Sequence, residues 1–257
     1  MKIGIFDSGV GGLTVAKEIK ALLPNQPIIY FGDTARTPYG TKSKETLIGY
    51  AKEDASFLLD QGADLIVIAC HSAASTAADV LKTSLDVPVF EVVTPSIEQA
   101  LAVTKTKRIG LIGTRATIKS EIYKRKIGFL EPKAKVIGQP CPLLVPLIEE
   151  GWLKARETRM IVKKYLRPLK QQNIDTLVLG CTHYPLIKKI IEQKIGKRVT
   201  VIDPSLEVAK AVKQYLSDNG DIFTKKAEDK YFVSDIGPAT EEIVRCFMGQ
   251  KIILNKV

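Results

Sequence analysis

Short apolar runs alternate along the chain with longer segments in which apolar residues recur every three or four positions. The short runs predict β-strands and the longer segments predict amphipathic helices, because these are the spacings at which side chains share one face. Strands that are apolar throughout are typical of parallel sheets covered by helices on both faces. The pattern therefore predicts an α/β protein. The predicted strands, in chain order, are KIGIF, PIIYF, DLIVIA, VPVFEV, KRIGLIG, AKVIG, IDTLVLG and VTVID.

Part of this pattern occurs twice. Residues 2–9, KIGIFDSG, are similar to residues 108–115, RIGLIGTR, and residues 64–72, DLIVIACHS, are similar to residues 175–183, DTLVLGCTH. In each half an opening strand ends at a hydroxyl residue and a later strand ends at a cysteine. The repeat predicts two pseudo-symmetric lobes, each a mostly parallel sheet flanked by helices, with the active site in the cleft between them.

The same repeat suggests where the lobes divide. We expect residues 1–95 to form the first lobe and residues 96–206 to form the second. The last segment, residues 207–257, is expected to return to the first lobe and complete it.

Reactive side chains directly follow the predicted strands. Cys70 and His71 follow one strand, and Cys181 with His183 follows the strand that repeats it. The chain has no other histidine. Because ligands bind at the carboxyl ends of strands in open parallel sheets, we expect both Cys-His pairs to face a ligand site.

Four kinds of cysteine chemistry could use two such Cys-His pairs. A zinc site favours spacings such as CxxC, which the chain lacks, so no metal is expected. A cysteine hydrolase needs one thiolate and one histidine, and it leaves the second pair unexplained. A redox dithiol needs two sulfur atoms within bonding range, which two strand ends in different lobes do not readily provide. Two thiols acting as acid and base on opposite faces of one carbon use both pairs.

Composition and charge narrow the class of protein. The 257 residues, 45% hydrophobic and 26% charged, are typical of a globular protein with a sizeable core. The N-terminus has no secretory signal pattern and the four cysteines have no disulfide-type spacing, so we expect reduced thiols and a cytoplasmic location. No apolar run is long enough to predict a membrane span. The net charge of +10 is spread along the chain, which favours a solvated surface that attracts anionic small molecules over a specific nucleic-acid partner.

Three loop motifs have weaker functional signals. DSGVGG, Asp7 to Gly12, lacks the spacing of nucleotide-binding loops, although a glycine-rich turn after a strand can present N–H groups to any anion. GDTARTPYG, Gly32 to Gly40, suits a rigid wall beside a ligand. VPLIEE, Val145 to Glu150, taken alone, is typical of a solvated helix end.

Together these motifs resemble the cofactor-independent glutamate racemases of bacterial cell-wall synthesis, within the aspartate/glutamate racemase superfamily. The resemblance covers nearly the whole chain. It rests on five stretches that occur in the family's order: DSGVGG, GDTARTPYG, the strand end at Cys70, VPLIE and GCTHYP.

The resemblance implies a mechanism and a set of site residues. It implies L- to D-glutamate racemisation for peptidoglycan synthesis, without pyridoxal phosphate or any other cofactor, by two cysteines that flank the substrate Cα. Asp7 is assigned to the Cys70 side, which takes the proton from the D-isomer, and His183 to the Cys181 side, which takes it from the L-isomer. Both Asp7 and Asp33 are candidates for the substrate ammonium. The expected substrate-binding residues are Ser8, Asp33, Pro38, Tyr39, Gly40, His71, Ser72, Thr114, Glu149 and Thr182.

One position departs from the family's pattern. Where the family usually has Cys-Asn-Thr, this chain has Cys70, His71 and Ser72. The substitution of histidine is either tolerated variation or a cause of an altered pH profile or substrate preference. Two alternatives to glutamate racemisation therefore stay open: racemisation of aspartate or another acidic amino acid, and a binding or regulatory role without catalysis. The family also implies a homodimer.

Overall fold

The computed structural model describes residues 1–225, 227–237 and 240–257. Strands and helices alternate through both halves of the chain, as the sequence pattern predicts. The strands are β1 Ile3–Asp7, β2 Ile28–Gly32, β3 Leu65–Ile68, β4 Val89–Glu91, β5 Arg108–Gly113, β6 Lys135–Pro140, β7 Thr176–Gly180, β8 Thr200–Ile202, β9 Lys230–Val233 and β10 Asn255–Lys256. The α-helices are α1 Leu13–Leu22, α2 Lys44–Asp60, α3 His71–Ser84, α4 Val93–Val103, α5 Arg115–Lys119, α6 Ile122–Leu130, α7 Leu144–Glu149, α8 Arg156–Gln171, α9 Lys188–Ile195, α10 Pro204–Asp218 and α11 Thr240–Met248. Three short 3₁₀ helices are Thr34–Arg36, Tyr39–Thr41 and Tyr184–Ile187.

The strands of the described residues form two sheets, and within each sheet every pair of neighbouring strands is parallel. The first sheet has the order β10-β9-β2-β1-β3-β4, and the second has the order β6-β5-β7-β8. The order β2-β1-β3-β4 of the first sheet therefore recurs in the second. The α/β class is confirmed, and the repeat in the sequence corresponds to a repeat in strand order.

Each sheet is apolar because helices cover it. All residues of β1, β2, β3 and β7 are buried. Burial of such aliphatic side chains stabilises the fold by roughly 1.5–3 kcal/mol for each large residue. This is the physical reason that the predicted strands lack alternating polar positions.

The C-terminal segment joins the first sheet. Strand β9 pairs with β2, strand β10 pairs with β9, and α10 packs against α1 and α4. The sequence analysis did not identify β9 or β10, which are short and flanked by charged residues. The division of the chain into 1–95 with 207–257, and 96–206, stays a prediction.

The turn after β1 joins the two halves. The Thr14 hydroxyl donates a hydrogen bond to the carbonyl oxygen of Thr182 at 3.1 Å. A Cβ atom at Gly11 would lie 2.5 Å from the Thr182 hydroxyl and 2.6 Å from the His183 ring. Only glycine allows this approach, so the glycines of DSGVGG bring the end of β1 against the end of β7.

No α-helix in the described ranges is long and apolar enough to cross a bilayer.

Candidate active site

A cavity of about 290 Å³ lies where the carboxyl ends of β1, β3, β5 and β7 meet. Ligand sites are expected at this edge of parallel sheets. Both lobes contribute to the wall, and both predicted catalytic cysteines lie on it. The predicted site residues that line the cavity are Ser8, Pro38, Tyr39, Gly40, Cys70, His71, Ser72, Thr114, Glu149, Cys181, Thr182 and His183.

On one side of the cavity, Cys70 is the residue just before α3. Its sulfur atom lies 3.6 Å from the Ser8 hydroxyl oxygen. Burial and, second, the nearby Asp7 carboxylate raise the pKa of the Cys70 thiol to about 12, while the Ala73 N–H and Ser8 oppose the shift. The neighbours of Cys70 therefore favour the neutral thiol.

Asp7 lies behind this side and does not line the cavity. Its carboxylate accepts hydrogen bonds from the Gly9 N–H at 3.2 Å and from the Thr182 hydroxyl at 3.3 Å. Burial raises the pKa of Asp7, although His183 and these donors oppose the shift. Asp7 therefore lies close enough to both sides of the cavity to raise the pKa of Cys70 and to interact with the charge of His183.

On the other side, His183 bridges Cys181 and Glu149. The Cys181 sulfur lies 3.8 Å from Nδ1 of His183, and Nε2 lies 3.1 Å from the Glu149 carboxylate. Burial alone lowers the pKa of His183, but the contacts with Cys181 and Glu149 raise it to about 10. A positively charged imidazole therefore lies beside the Cys181 sulfur. The ring of Phe247 packs edge-on against His183 at 5.4 Å and helps to hold it in place.

The second histidine, His71, is held differently. It begins α3, is only 3% exposed, and lines the cavity. Within the described part of the chain, neither ring nitrogen has a hydrogen-bond partner. Burial lowers the pKa of His71 to about 3, so the ring is neutral at physiological pH. His71 therefore offers the cavity one N–H donor and one acceptor nitrogen, as an amide would offer a donor and an acceptor.

The two lobes touch at the edge of the cavity. The hydroxyl oxygens of Ser72 and Thr114 lie 3.0 Å apart. A Cβ atom at Gly40 would lie 2.8 Å from the Thr114 Cβ, so the loop from the first lobe packs directly on the second. We call this contact of Gly40, Ser72 and Thr114 the inter-lobe contact.

Asp33, predicted to bind substrate, lies outside the cavity wall. Its carboxylate accepts hydrogen bonds from Arg36, from the Tyr39 hydroxyl and, at 3.0 Å, from the Ser234 hydroxyl. The Tyr39 hydroxyl oxygen also lies 2.9 Å from a carboxyl oxygen of Asp54. Burial, together with the charge of Asp33, raises the pKa of Asp54 to about 8. This network fixes the loop that carries Tyr39 and Gly40.

Comparison with known proteins identifies the family. The Asp/Glu/Hydantoin racemase family matches residues 13–212. The chain belongs to this family. It is 45% identical over 253 residues to a glutamate racemase of Geobacter metallireducens, covering 97% of this chain and 93% of that one. The expected resemblance to glutamate racemases, and with it the isomerase class, is confirmed.

Solved racemase structures have the same fold. That of glutamate racemase isoform RacE1 from Bacillus anthracis superposes with a TM-score of 0.96 at 36% identity, over 100% of this chain and 97% of that one. A glutamate racemase from Francisella tularensis, solved in complex with D-glutamate, superposes with a TM-score of 0.93 at 38% identity, over the same shares.

Several residues that line the cavity of this racemase were missed by the sequence analysis. Among the described residues, Arg115 is the only Lys or Arg on the wall, and it directly follows Thr114, so its place after a strand end was a usable signal. Cys141 is a buried free thiol on the wall that directly follows β6, so its place after a strand end was a signal of the same kind. The other missed lining residues are Thr37, Thr41, Pro142, Val145 and Pro146.

Among residues 1–225, 227–237 and 240–257, no three or more His, Cys, Asp or Glu side chains are grouped so as to hold a metal ion.

Proposed function

We propose that this protein interconverts L- and D-glutamate by proton transfer at Cα, with Cys181 and Cys70 as the two proton-transferring groups. The observation that supports this most directly is that both thiols line one cavity, each from the strand end that corresponds to the other in the repeated sheet order. Racemisation needs a base and an acid on opposite faces of one carbon. A pseudo-symmetric cleft supplies that arrangement.

In the L-to-D direction, the Cys181 thiolate takes the α-proton, so that the C–H bond breaks and an S–H bond forms. The electron pair stays on Cα and its carboxylate. The Cys70 thiol then donates its proton to the opposite face of Cα and becomes a thiolate. The D-to-L direction runs these steps in reverse, and proton exchange between the two sides restores the starting state.

The charged groups near the two sulfur atoms fit the proposed starting roles, with Cys181 as the base and Cys70 as the acid. His183 is positive beside Cys181, with Glu149 orienting the ring, and Cys70 is kept protonated by burial and by Asp7. We assign His183 to the activation of Cys181, and Asp7 to proton movement on the Cys70 side. Positioned acids and bases of this kind typically contribute about 10²–10⁴-fold to a rate.

The remaining wall holds the substrate. Hydroxyls of Ser8, Ser72, Thr114 and Thr182, together with the neutral ring of His71, supply hydrogen-bond donors for two carboxylates. Fixed donors in a cavity that excludes water stabilise the negative charge that develops when Cα is deprotonated. Pro38, Tyr39 and Gly40 form the rigid wall beside them, while the role of Asp33 as an ammonium partner stays a prediction.

We further propose that the reaction needs no cofactor, that its product serves peptidoglycan synthesis in the cytoplasm, and that the protein acts as a homodimer. Light scattering after gel filtration tests the last point, with an expected mass of twice 28.3 kDa. Growth of a bacterium that depends on added D-glutamate, after expression of this chain, tests the cellular role.

The activity itself is tested with purified protein by the loss of optical rotation of each glutamate isomer. Turnover is expected without added pyridoxal phosphate and in the presence of hydroxylamine, which removes that cofactor. Absence of turnover, beside an active reference racemase, contradicts the proposal. Faster turnover of aspartate favours the first alternative. Activity that appears only after His71→Asn favours the non-catalytic alternative.

A further inference from the structure

A second cleft, of about 440 Å³, lies beside the cavity and between the lobes. The same three segments line both spaces: the loop that leads into α2, the first turns of α3, and the region of α5. In each segment, the residues that line the cavity come first in the chain, and the residues that line the cleft follow them. The residues that line the cleft include Lys42, Lys44, Ser75, Lys119 and Arg125.

The cleft is strongly basic. Lys42 and Lys44 come from the first lobe, and Lys119 and Arg125 come from the second. Within the described ranges, no carboxylate lies within 4.0 Å of any of these four cations. Of the described residues on the wall, Glu45 is the one that is acidic, and hydrogen bonds from its own N–H and from Ser43 lower its pKa. The balance of charge in the cleft therefore favours an anion.

A buried hydroxyl points to the same conclusion. Ser75 lines the cleft, is 6% exposed, and its hydroxyl oxygen has no hydrogen-bond partner within the described ranges. The other buried side-chain atoms without a partner in that part of the chain are the two ring nitrogens of His71. His71 and Ser75 are four residues apart on α3, so they lie one above the other on one helix face.

Buried polar atoms in proteins are nearly always hydrogen-bonded. Here the unpartnered atoms are neighbours on α3. Those of His71 border the cavity, and that of Ser75 borders the basic cleft. The first turn of α2, a helix of 17 residues, also borders the cleft, and a helix N-terminus attracts negative charge. Four cations from two lobes, a free buried hydroxyl and a helix N-terminus together form an environment suited to an anion.

We propose that this cleft is a second binding site, separate from the cavity, for small molecules that carry carboxylate or phosphate groups. If the ligand is glutamate, the cleft is an antechamber that concentrates the substrate before the inter-lobe contact opens, and this version rests on the proposed function. If the ligand carries phosphate, the cleft is a separate effector site.

The test compares the wild-type protein with two variants of equal charge. The cleft variant carries Lys42→Gln, Lys44→Gln, Lys119→Gln and Arg125→Gln. The control variant carries Lys163→Gln, Lys164→Gln, Arg167→Gln and Lys170→Gln, which remove four exposed cations from α8. Each variant lowers the formal charge from +10 to +6, so that a difference between them reports the location of the charges.

Binding of inorganic phosphate, measured by titration calorimetry at low ionic strength, needs no catalysis. We expect the wild type and the control variant to bind phosphate, and the cleft variant to lose at least tenfold in affinity. Ser75→Ala should also weaken binding about tenfold, because one hydrogen bond to a charged ligand is lost, without lowering the melting temperature in the absence of phosphate. Equal phosphate binding by the cleft variant and the wild type overturns the proposal, as does equal loss in both four-fold variants.

Steady-state kinetics with glutamate distinguishes the two ligand sources. For an antechamber, kcat/KM of the cleft variant should fall about tenfold with kcat within twofold, since steering raises the rate of capture and leaves the chemistry unchanged. For a phosphate-bearing effector, kcat/KM should stay within twofold while phosphate binding is lost. A wild-type protein that binds phosphate in the cleft but does not racemise glutamate contradicts the proposed function and leaves the anion site standing.

Discussion

The Cys70 and Cys181 sides of the cavity have equivalent positions in the fold but different neighbours. Each cysteine follows the strand that is third in chain order within its sheet, and each borders the same cavity. Cys181 contacts a cationic histidine that is itself paired with Glu149. Cys70 contacts the neutral hydroxyl of Ser8 and lies near the carboxylate of Asp7. A repeated backbone thus places a cationic histidine beside one thiol and a carboxylate near the other.

Under the proposed mechanism, this difference explains how one site can act on two mirror-image substrates. A base and an acid must be present at the same time on opposite faces of Cα. If both cysteines had the same surroundings, both would favour the same protonation state. In the proposed mechanism, the cationic His183 beside Cys181 and the protonated Cys70 correspond to the state that accepts the L-isomer.

The largest expected effect comes from removing either thiol. Cys70→Ser and Cys181→Ser should each reduce racemisation about 10³-fold in both directions, because each direction uses one sulfur as the base and the other as the acid. Cys70→Ser should still exchange the α-proton of L-glutamate in D₂O, and Cys181→Ser that of D-glutamate. Proton NMR measures both exchanges. Retention of racemisation by either variant contradicts the two-thiol mechanism.

Removing the charge beside Cys181 should have the next largest effect. His183→Ala is expected to reduce kcat/KM for L-glutamate about 10²-fold, and Glu149→Gln about tenfold, since Glu149 acts through His183. For the wild type, kcat/KM should fall as the pH rises through about 10, where His183 loses its proton. Stopped-flow or coupled assays across pH 7–11 measure this. If His183→Ala keeps the high-pH decline of the wild type, another group controls it.

His71 should make the folded protein less stable in acid. The folded-state pKa of His71 is about 3, below its ordinary value of 6.5, so acid favours the unfolded chain. The stability of the wild type should therefore decline as the pH falls below 6.5, by about 2 kcal/mol between pH 6.5 and pH 5. Urea unfolding of the wild type and of His71→Asn at pH 7.5 and pH 5 measures the difference. An equal acid loss in both proteins shows that His71 is not the source.

The smallest effect concerns Arg115. As the only Lys or Arg that the described part of the chain places on the cavity wall, it is expected to attract a substrate carboxylate. Arg115→Gln should raise KM about threefold with kcat within twofold, because a partly exposed charge contributes on the order of 0.2–1 kcal/mol. Lys154→Gln, which changes an exposed cation outside the cavity wall, is the matched control. A larger loss in kcat than in KM contradicts a role limited to binding.

Much of the fold and site followed from local sequence. Continuous apolar strands predicted parallel sheets, because only sheets covered on both faces lack polar alternation. Cys70 and Cys181 were each expected at a ligand site because ligands bind at the carboxyl ends of parallel strands, and the sequence repeat predicted that the two lobes share one cleft. The predicted residues that lie after a strand, such as Ser8 and Thr114, do line the cavity.

Other features depend on contacts between distant segments. Asp33 follows a strand, as a ligand-binding residue would, but its carboxylate is occupied by Arg36, Tyr39 and Ser234. Ser234 is about two hundred residues away, so no local pattern could indicate this. The basic cleft likewise combines cations from both lobes that are widely separated in the chain. The unequal surroundings of the two cysteines also depend on packing, since Glu149 reaches His183 across 34 residues.

The most direct test of the two-thiol account is the reaction of the wild type in D₂O, followed to low conversion from each glutamate isomer. The account predicts that the product carries deuterium at Cα while the remaining substrate does not, because the proton leaves to one sulfur and a solvent-derived deuteron arrives from the other. Deuterium entering the remaining substrate as fast as the product, or a product that retains the original proton, would contradict it.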